Sequence, residues 1–186
     1  MNEVLRLRSH DKIGRYDPRP FLDLTLGFGA ASGGAQVGEI GGGDGWSLNV
    51  GAMLTPLWVD DRAGFGAGIE LGLKRGTPDH YTITDVSLRR YPVDATFHAA
   101  IRIAGRWFVM LAGGLTKDFG VSLTNYAGAL SSELGFLGRL AIYYRIADSS
   151  ALLLGVQKTD LSYTASDGTT FDAGSRSLFG AVSFAR

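Results

Sequence analysis

The sequence predicts an all-β fold, an eight-stranded antiparallel up-and-down transmembrane β-barrel with short turns at one end and long loops at the other. Three observations carry this reading. From residue 21 onward, apolar residues alternate with small or polar ones in eight strand-length segments. The connections between these segments alternate strictly, short then long. Aromatic rings sit at the ends of the apolar stripes, where a lipid-facing surface meets water.

The segments follow in order. FLDLTLGFGA (21–30) sets Leu22, Leu24, Leu26, Phe28 and Ala30 against Asp23, Thr25, Gly27 and Gly29. WSLNVGAMLTPLW (46–58) runs Trp46, Leu48, Val50, Ala52, Leu54, Pro56, Trp58 on one face and is small or polar on the other. FGAGIELGLK (65–74) sets Phe65, Ile69, Leu71 and Leu73 against Glu70 and Lys74. YPVDATFHAAIRI (91–103) sets Tyr91, Val93, Phe97, Ile101 and Ile103 against Asp94, Thr96, His98 and Arg102. WFVMLAGGLT (107–116) carries Trp107, Val109, Leu111 and Leu115 on one face. LGFLGRLAIYYRI (134–146) carries Leu134, Phe136, Leu140, Ile142, Tyr144 and Ile146 opposite Arg139, Tyr143 and Arg145. ALLLGVQKT (151–159) is the least regular, with Leu152, Leu154 and Val156 together. SLFGAVSF (177–184) closes the set with Leu178, Val182 and Phe184.

Only VDDRAG, AGR and ADSS join segments two to three, four to five and six to seven, each suited to a tight hairpin. The other connections are long. In an up-and-down sheet this puts all short turns at one end, with both chain termini. Trp46 and Trp58 then lie roughly 30 Å apart along the membrane normal, at about 3.3 Å per residue and about 40° of tilt. That span matches a hydrocarbon layer with its interfaces.

The 186 residues suffice for one closed barrel, read as residues 21–186, behind an N-terminal periplasmic tail at residues 1–20. Lys plus Arg number 18 and Asp plus Glu 18, so no net field favours nucleic acid. Cysteine is absent, which removes disulfides and thiolate chemistry. No apolar run is long enough for a membrane helix. MNEVLRLRSHDKIGRYDPRP has charges where a signal peptide needs its apolar stretch. Either the protein is cytoplasmic, or this is a mature chain with a start Met in place of a removed signal.

At this point the chain resembles the small eight-stranded outer-membrane barrels of Gram-negative bacteria, of the OmpA transmembrane domain, OmpX and OmpW kind. The resemblance covers residues 21 to 184 and rests on pattern alone. SLFGAVSF looks like the C-terminal assembly signal of such barrels, except that Ala185 and Arg186 follow Phe184. The resemblance implies a location in the bacterial outer membrane, with the lipid bilayer and lipopolysaccharide as partners. An envelope protein docked through the loops or tail is a further expected partner. The competing fold is a soluble lipocalin-like barrel with the apolar face inward. Its solvent face would carry few Lys or Glu, and its narrow lumen would have to hold the tryptophans and leucines.

In the membrane register, Asp23, Glu70, Lys74, Asp94, His98, Arg102, Arg139 and Arg145 face the lumen as a polar network that closes it. Trp46, Trp58, Phe65, Trp107, Tyr144 and Phe184 are the expected membrane-interface aromatics. No catalytic, cofactor or metal residue is expected: His10, His80 and His98 have no metal-ligand spacing. A lipid A deacylase would place Ser two residues after a lipid-facing His, whereas His98 is followed by Ala100, and His80 by Thr82 in a loop. GGGDG (41–45) and GFGAG (64–68) lack the strand-to-helix setting of a phosphate loop, and DGTTFDAG (167–174) lacks calcium-ligand spacing. The loop aromatics Tyr81, Phe119, Tyr126, Tyr163 and Phe171 are candidates for contact with a ligand or partner.

The expected function is a non-enzymatic outer-membrane barrel that acts through its loops or tail in envelope integrity, adhesion or assembly. The alternatives are a narrow conduit for small or apolar solutes, a lipid A-modifying enzyme and a soluble ligand-binding barrel.

Overall fold

The computed structural model of the protein describes residues 6–7, 19–31, 45–77, 87–124 and 128–185. His10, His80, Tyr81, Thr82, Tyr126, most of the N-terminal tail and residues 41–44 of the first glycine string lie outside the described residues.

Eight long strands form the wall: β1 (Leu22–Ala31), β2 (Gly45–Val59), β3 (Ala63–Gly76), β4 (Leu88–Ala104), β5 (Trp107–Leu123), β6 (Gly135–Ala147), β7 (Ser150–Asp160) and β8 (Ser175–Ala185). Each pairs antiparallel with its sequence neighbours, and β8 pairs with β1, so the sheet closes. Period-two sequences produce this because each strand shows one face to each side of the wall.

One hydrogen-bonding row shows how the wall is staggered. It runs Leu22–Leu54–Ala67–Phe97–Gly113–Gly138–Lys158–Arg176 through all eight strands. It starts at the foot of β1 and ends on β8 beside the far end of β1, since Leu178, two residues further along β8, pairs with Ala30. One circuit therefore climbs about the length of β1. That stagger is the shear that tilts barrel strands.

The exterior is apolar. Leu24, Leu26, Phe28, Val50, Ile69, Phe97, Leu111 and Leu154 are all more than half exposed, Phe97 by 79%. The interior holds Asp23, Asn49, Asp94, His98, Arg145, Gln157 and Ser183, all buried. A soluble barrel needs the reverse polarity, so the soluble reading fails.

The hairpin turns are tight. Asp60 and Asp61 both adopt left-handed backbone, φ 48° and 57°, and the Arg62 N–H returns to the Val59 carbonyl at 2.9 Å. Aspartate tolerates this conformation better than most residues. Gly105, at φ 48°, turns the β4–β5 hairpin.

Trp58 departs from the expected outward stripe. The β2–β3 register shifts between Leu54 and Leu57: Leu54 pairs with Ala67 and Leu57 with Phe65. The extra residue is a bulge at Thr55–Pro56, where proline lacks the ladder N–H. The bulge reverses the parity of the strand, so Trp58 turns into the barrel and is 2% exposed. Gly64 makes this possible, because a Cβ there would meet the Trp58 ring at 2.6 Å.

The long-loop end also differs from expectation. β4 and β5 are 17-residue strands that run past their apolar stretches. Beyond the wall, Leu130–Ser132, Ser162–Ala165 and Thr170–Asp172 form a separate three-stranded sheet. Leu88, Leu161, Tyr163 and Ala173 make a small apolar core there. At the opposite end, Arg6–Leu7 pairs with Trp58 and Leu57, continuing the sheet below the foot of β1.

Candidate functional site

The lumen holds the groups with chemical potential, and they fall into three tiers. The lowest is built around Asp23. Its carboxylate accepts hydrogen bonds from Tyr143 Oη at 2.9 Å, Arg145 Nη1 at 2.8 Å and Ser183 Oγ at 2.8 Å. The Arg145 pair is almost wholly buried on both sides. Ala151, the register partner of both Arg145 and Ser183, leaves room for the guanidinium. Edge-to-face rings pack against this knot: Trp58 on Phe108 at 6.0 Å and Phe108 on Tyr143 at 5.9 Å. The Trp58 indole N–H donates to the Pro20 and Thr55 carbonyls, fastening the entering chain to the plug.

The middle tier is Arg139, Glu70, Gln157 and His98. Arg139 reaches both Glu70 carboxylate oxygens, at 2.9 and 3.3 Å, and the Gln157 amide oxygen at 2.7 Å. Its guanidinium also stacks over Phe179, 4.7 Å from the ring centre. A bidentate pair with added acceptors is the geometry in which a buried arginine is well satisfied. His98 Nε2 lies 2.8 Å from Thr55 Oγ1 instead of joining Glu70. His98, Glu70 and Arg139 border a narrow void with Thr96 and Met110.

The upper tier joins the wall to the outer sheet. Asp94 accepts from Thr116 Oγ1 at 2.6 Å. Arg90 donates to Tyr163 Oη, the Ala173 carbonyl and Ser175 Oγ at 3.1 to 3.2 Å, and lies 3.5 Å from Asp118. Tyr163 donates to Asp118, and burial pushes its hydroxyl pKa up, which keeps that proton in place.

Of the expected lumen residues, the structure joins Asp23 to Arg145 and Glu70 to Arg139. Among the described residues it does not join the others as ion pairs. Lys74 is the register partner of Arg90 on the inward face. Arg102 sits at the rim, its Nε on the Gly105 carbonyl. Tyr143, Trp58, Phe108, Arg90, Asp118 and Gln157 were not in the expected set. Arg90 and Asp118 fall outside the alternating apolar stretches, 91–103 and 107–116, that mark these strands in the sequence. Pro56 was the available signal for Trp58.

The other aromatics assigned to the interface point outward. Trp46 is at the loop end; Phe65, Trp107, Tyr144 and Phe184 are at the turn end, with Trp107 and Tyr144 rings 4.3 Å apart. Among the loop aromatics, Phe119 lies on β5 opposite Tyr91, and Tyr163 is buried. No cluster of three His, Asp or Glu among the described residues is arranged to hold a metal.

A closed sheet with leucines outside and a charged, hydrogen-bonded interior is a transmembrane β-barrel of the bacterial outer-membrane class. Solved structures agree at the level of fold. Neisserial surface protein A aligns with a TM-score of 0.63 at 13% identity, over 89% of this chain and 97% of that one. The outer membrane protein OprG from Pseudomonas aeruginosa aligns with a TM-score of 0.52 at 11% identity, over 89% and 95%. No protein family and no curated protein sequence matches the chain.

Proposed function

We propose that the protein is a non-enzymatic, non-conducting outer-membrane barrel that presents a rigid platform at its loop end for contact with envelope or surface partners. The observation that carries this is the continuity of the lumen plug with the outer sheet. Arg90 and Asp118, on β4 and β5, hold Tyr163 of that sheet, while Asp23, Arg139 and the Trp58–Phe108–Tyr143 rings fill the bore below. A barrel so filled spends its inward residues on closure and leaves its projecting end for recognition.

His98 supports the non-enzymatic reading. Its ring is inside, on Thr55, whereas acyl chemistry on a membrane lipid needs its base on the outer face. The second reading, a narrow conduit, draws on the void beside Glu70, His98 and Arg139.

Planar-bilayer recording separates the two. Wild-type protein is expected to give no conductance steps, and a variant with Trp58→Ala and Tyr143→Ala to show openings. Regular steps in the wild type would sink the closed-plug reading and favour the conduit.

A further inference from the structure

The outer wall carries an unexplained pair of cations. Lys158 on β7 and Arg176 on β8 are direct cross-strand partners, and both are exposed on the lipid-facing side. Among the described residues neither has an ion pair or hydrogen bond. Asp160, two residues further along β7 on the same face, forms no ion pair with Lys158. Like charges directly opposed on a sheet repel, and an anion shared between them removes the cost.

Their level on the wall is fixed by register. Trp46 pairs with Ala30 and Ala30 with Leu178, a row that descends as it passes to β8. Arg176 lies two residues above Leu178, which returns it to about the level of Trp46, at the loop-side edge of the apolar belt. Lipid headgroups lie at that level.

Below the cations lies an apolar groove. The groove runs from Arg176 and Lys158 over Gly138, with Leu111, Leu140 and Val156 as its wall, and Gly113 is the next residue in the row beyond Gly138. The two glycines leave it open: a Cβ on Gly138 would meet nothing within 4 Å, and one on Gly113 only a carbonyl at 3.8 Å. From Arg176 to Gly113 is three strand spacings, roughly 14 Å. An acyl chain laid along this path stays in hydrocarbon while its head remains at the interface.

We infer that this face binds a phosphorylated acyl lipid of the outer leaflet, its phosphate between Lys158 and Arg176 and one chain in the groove over Gly138 and Gly113. The site rests on the membrane-barrel reading but not on the closed-plug proposal. Two basic groups supply charge-assisted hydrogen bonds to phosphate oxygens, and the glycine floor admits the chain closer than any other residue would.

The test is native mass spectrometry of the folded barrel in non-ionic detergent, with dilauroyl phosphatidic acid and dilauroylglycerol as probes. Wild-type protein should retain phosphatidic acid at least about tenfold better than the uncharged lipid. Lys158→Gln with Arg176→Gln should abolish that preference. Gly113→Leu with Gly138→Leu should lower retention of both lipids. Equal retention of the two lipids by the wild type, or undiminished phosphatidic acid on the glutamine variant, would overturn the site. Inorganic phosphate at millimolar concentration should not displace the lipid; displacement would mean a free-anion site and would likewise overturn it. Each sample is also run cold and boiled on a detergent gel. A barrel that shifts but lacks lipid preference fails this inference alone, whereas no shift fails the membrane-barrel reading itself.

Discussion

Asp23 on β1 and Arg145 on β6 meet at 2.8 Å at the foot of the lumen, both almost fully buried, with Tyr143 and Ser183 completing the carboxylate's hydrogen bonds. Removing one member leaves a guanidinium with no counter-charge in a dry interior. Asp23→Ala is therefore expected to cost about 3–5 kcal/mol, while Asp23→Leu with Arg145→Met recovers most of it. Urea titration of the barrel in lipid vesicles, followed by tryptophan fluorescence, measures both. Equal losses in the single and double variants would show that the pair is not the source.

Gly64 and Trp58 are linked by space. A Cβ on Gly64 would meet the indole at 2.6 Å and Thr55 Cγ2 at 2.8 Å. Gly64→Ala should displace the ring and cost about 1–3 kcal/mol, with loss of near-ultraviolet dichroism. Trp58→Phe keeps an aromatic ring but drops the N–H to Pro20, and about 1 kcal/mol is expected. An unchanged spectrum in Gly64→Ala would place the indole elsewhere.

Ile69 tests the lipid face. It lies on β3 between outward Phe65 and outward Arg75 and is more than half exposed. Ile69→Arg should cost about 2–4 kcal/mol in vesicles, as arginine does near the bilayer midplane. A cost near zero would mean that the position meets water.

Tyr163 ties the outer sheet to the wall through Arg90 and Asp118. Tyr163→Phe removes the hydroxyl from both and leaves Asp118 short of a donor, a loss of about 1–3 kcal/mol. The effect should be local. Limited proteolysis of intact cells is expected to cut within 161–174 sooner, while the barrel still resists cold detergent. Faster cutting accompanied by loss of that resistance would show that the sheet is part of the barrel's own stability.

The wall was legible because a lipid-facing strand must alternate, and Leu22 to Ala30 or Leu134 to Ile146 can alternate in only one sense. Face assignment also carried the lumen charges, since every second residue shares a side. Partnership was not legible. Glu70 and Arg139 are 69 positions apart, and their meeting depends on the register of every strand between them. Trp58 was misplaced because a single bulged residue inverts everything after it. Arg90 and Asp118 of the upper tier were missed for a different reason. Past the hydrocarbon, outward positions such as Arg89 and Lys117 become polar too, so the contrast that marks a strand fades where β4 and β5 continue.

Ser183 and Asp23 belong to the last and first strands, and the bond between them crosses the seam where the circle closes. Without β8 the Asp23 carboxylate lacks one of its three donors, and β1 and β7 each keep an unpaired backbone edge. The final hairpin supplies both at once. Closing the ring therefore completes the shell of a charge in the bore as well as the hydrogen bonds along the seam. Pairing of the first and last strands and full satisfaction of Asp23 thus come together.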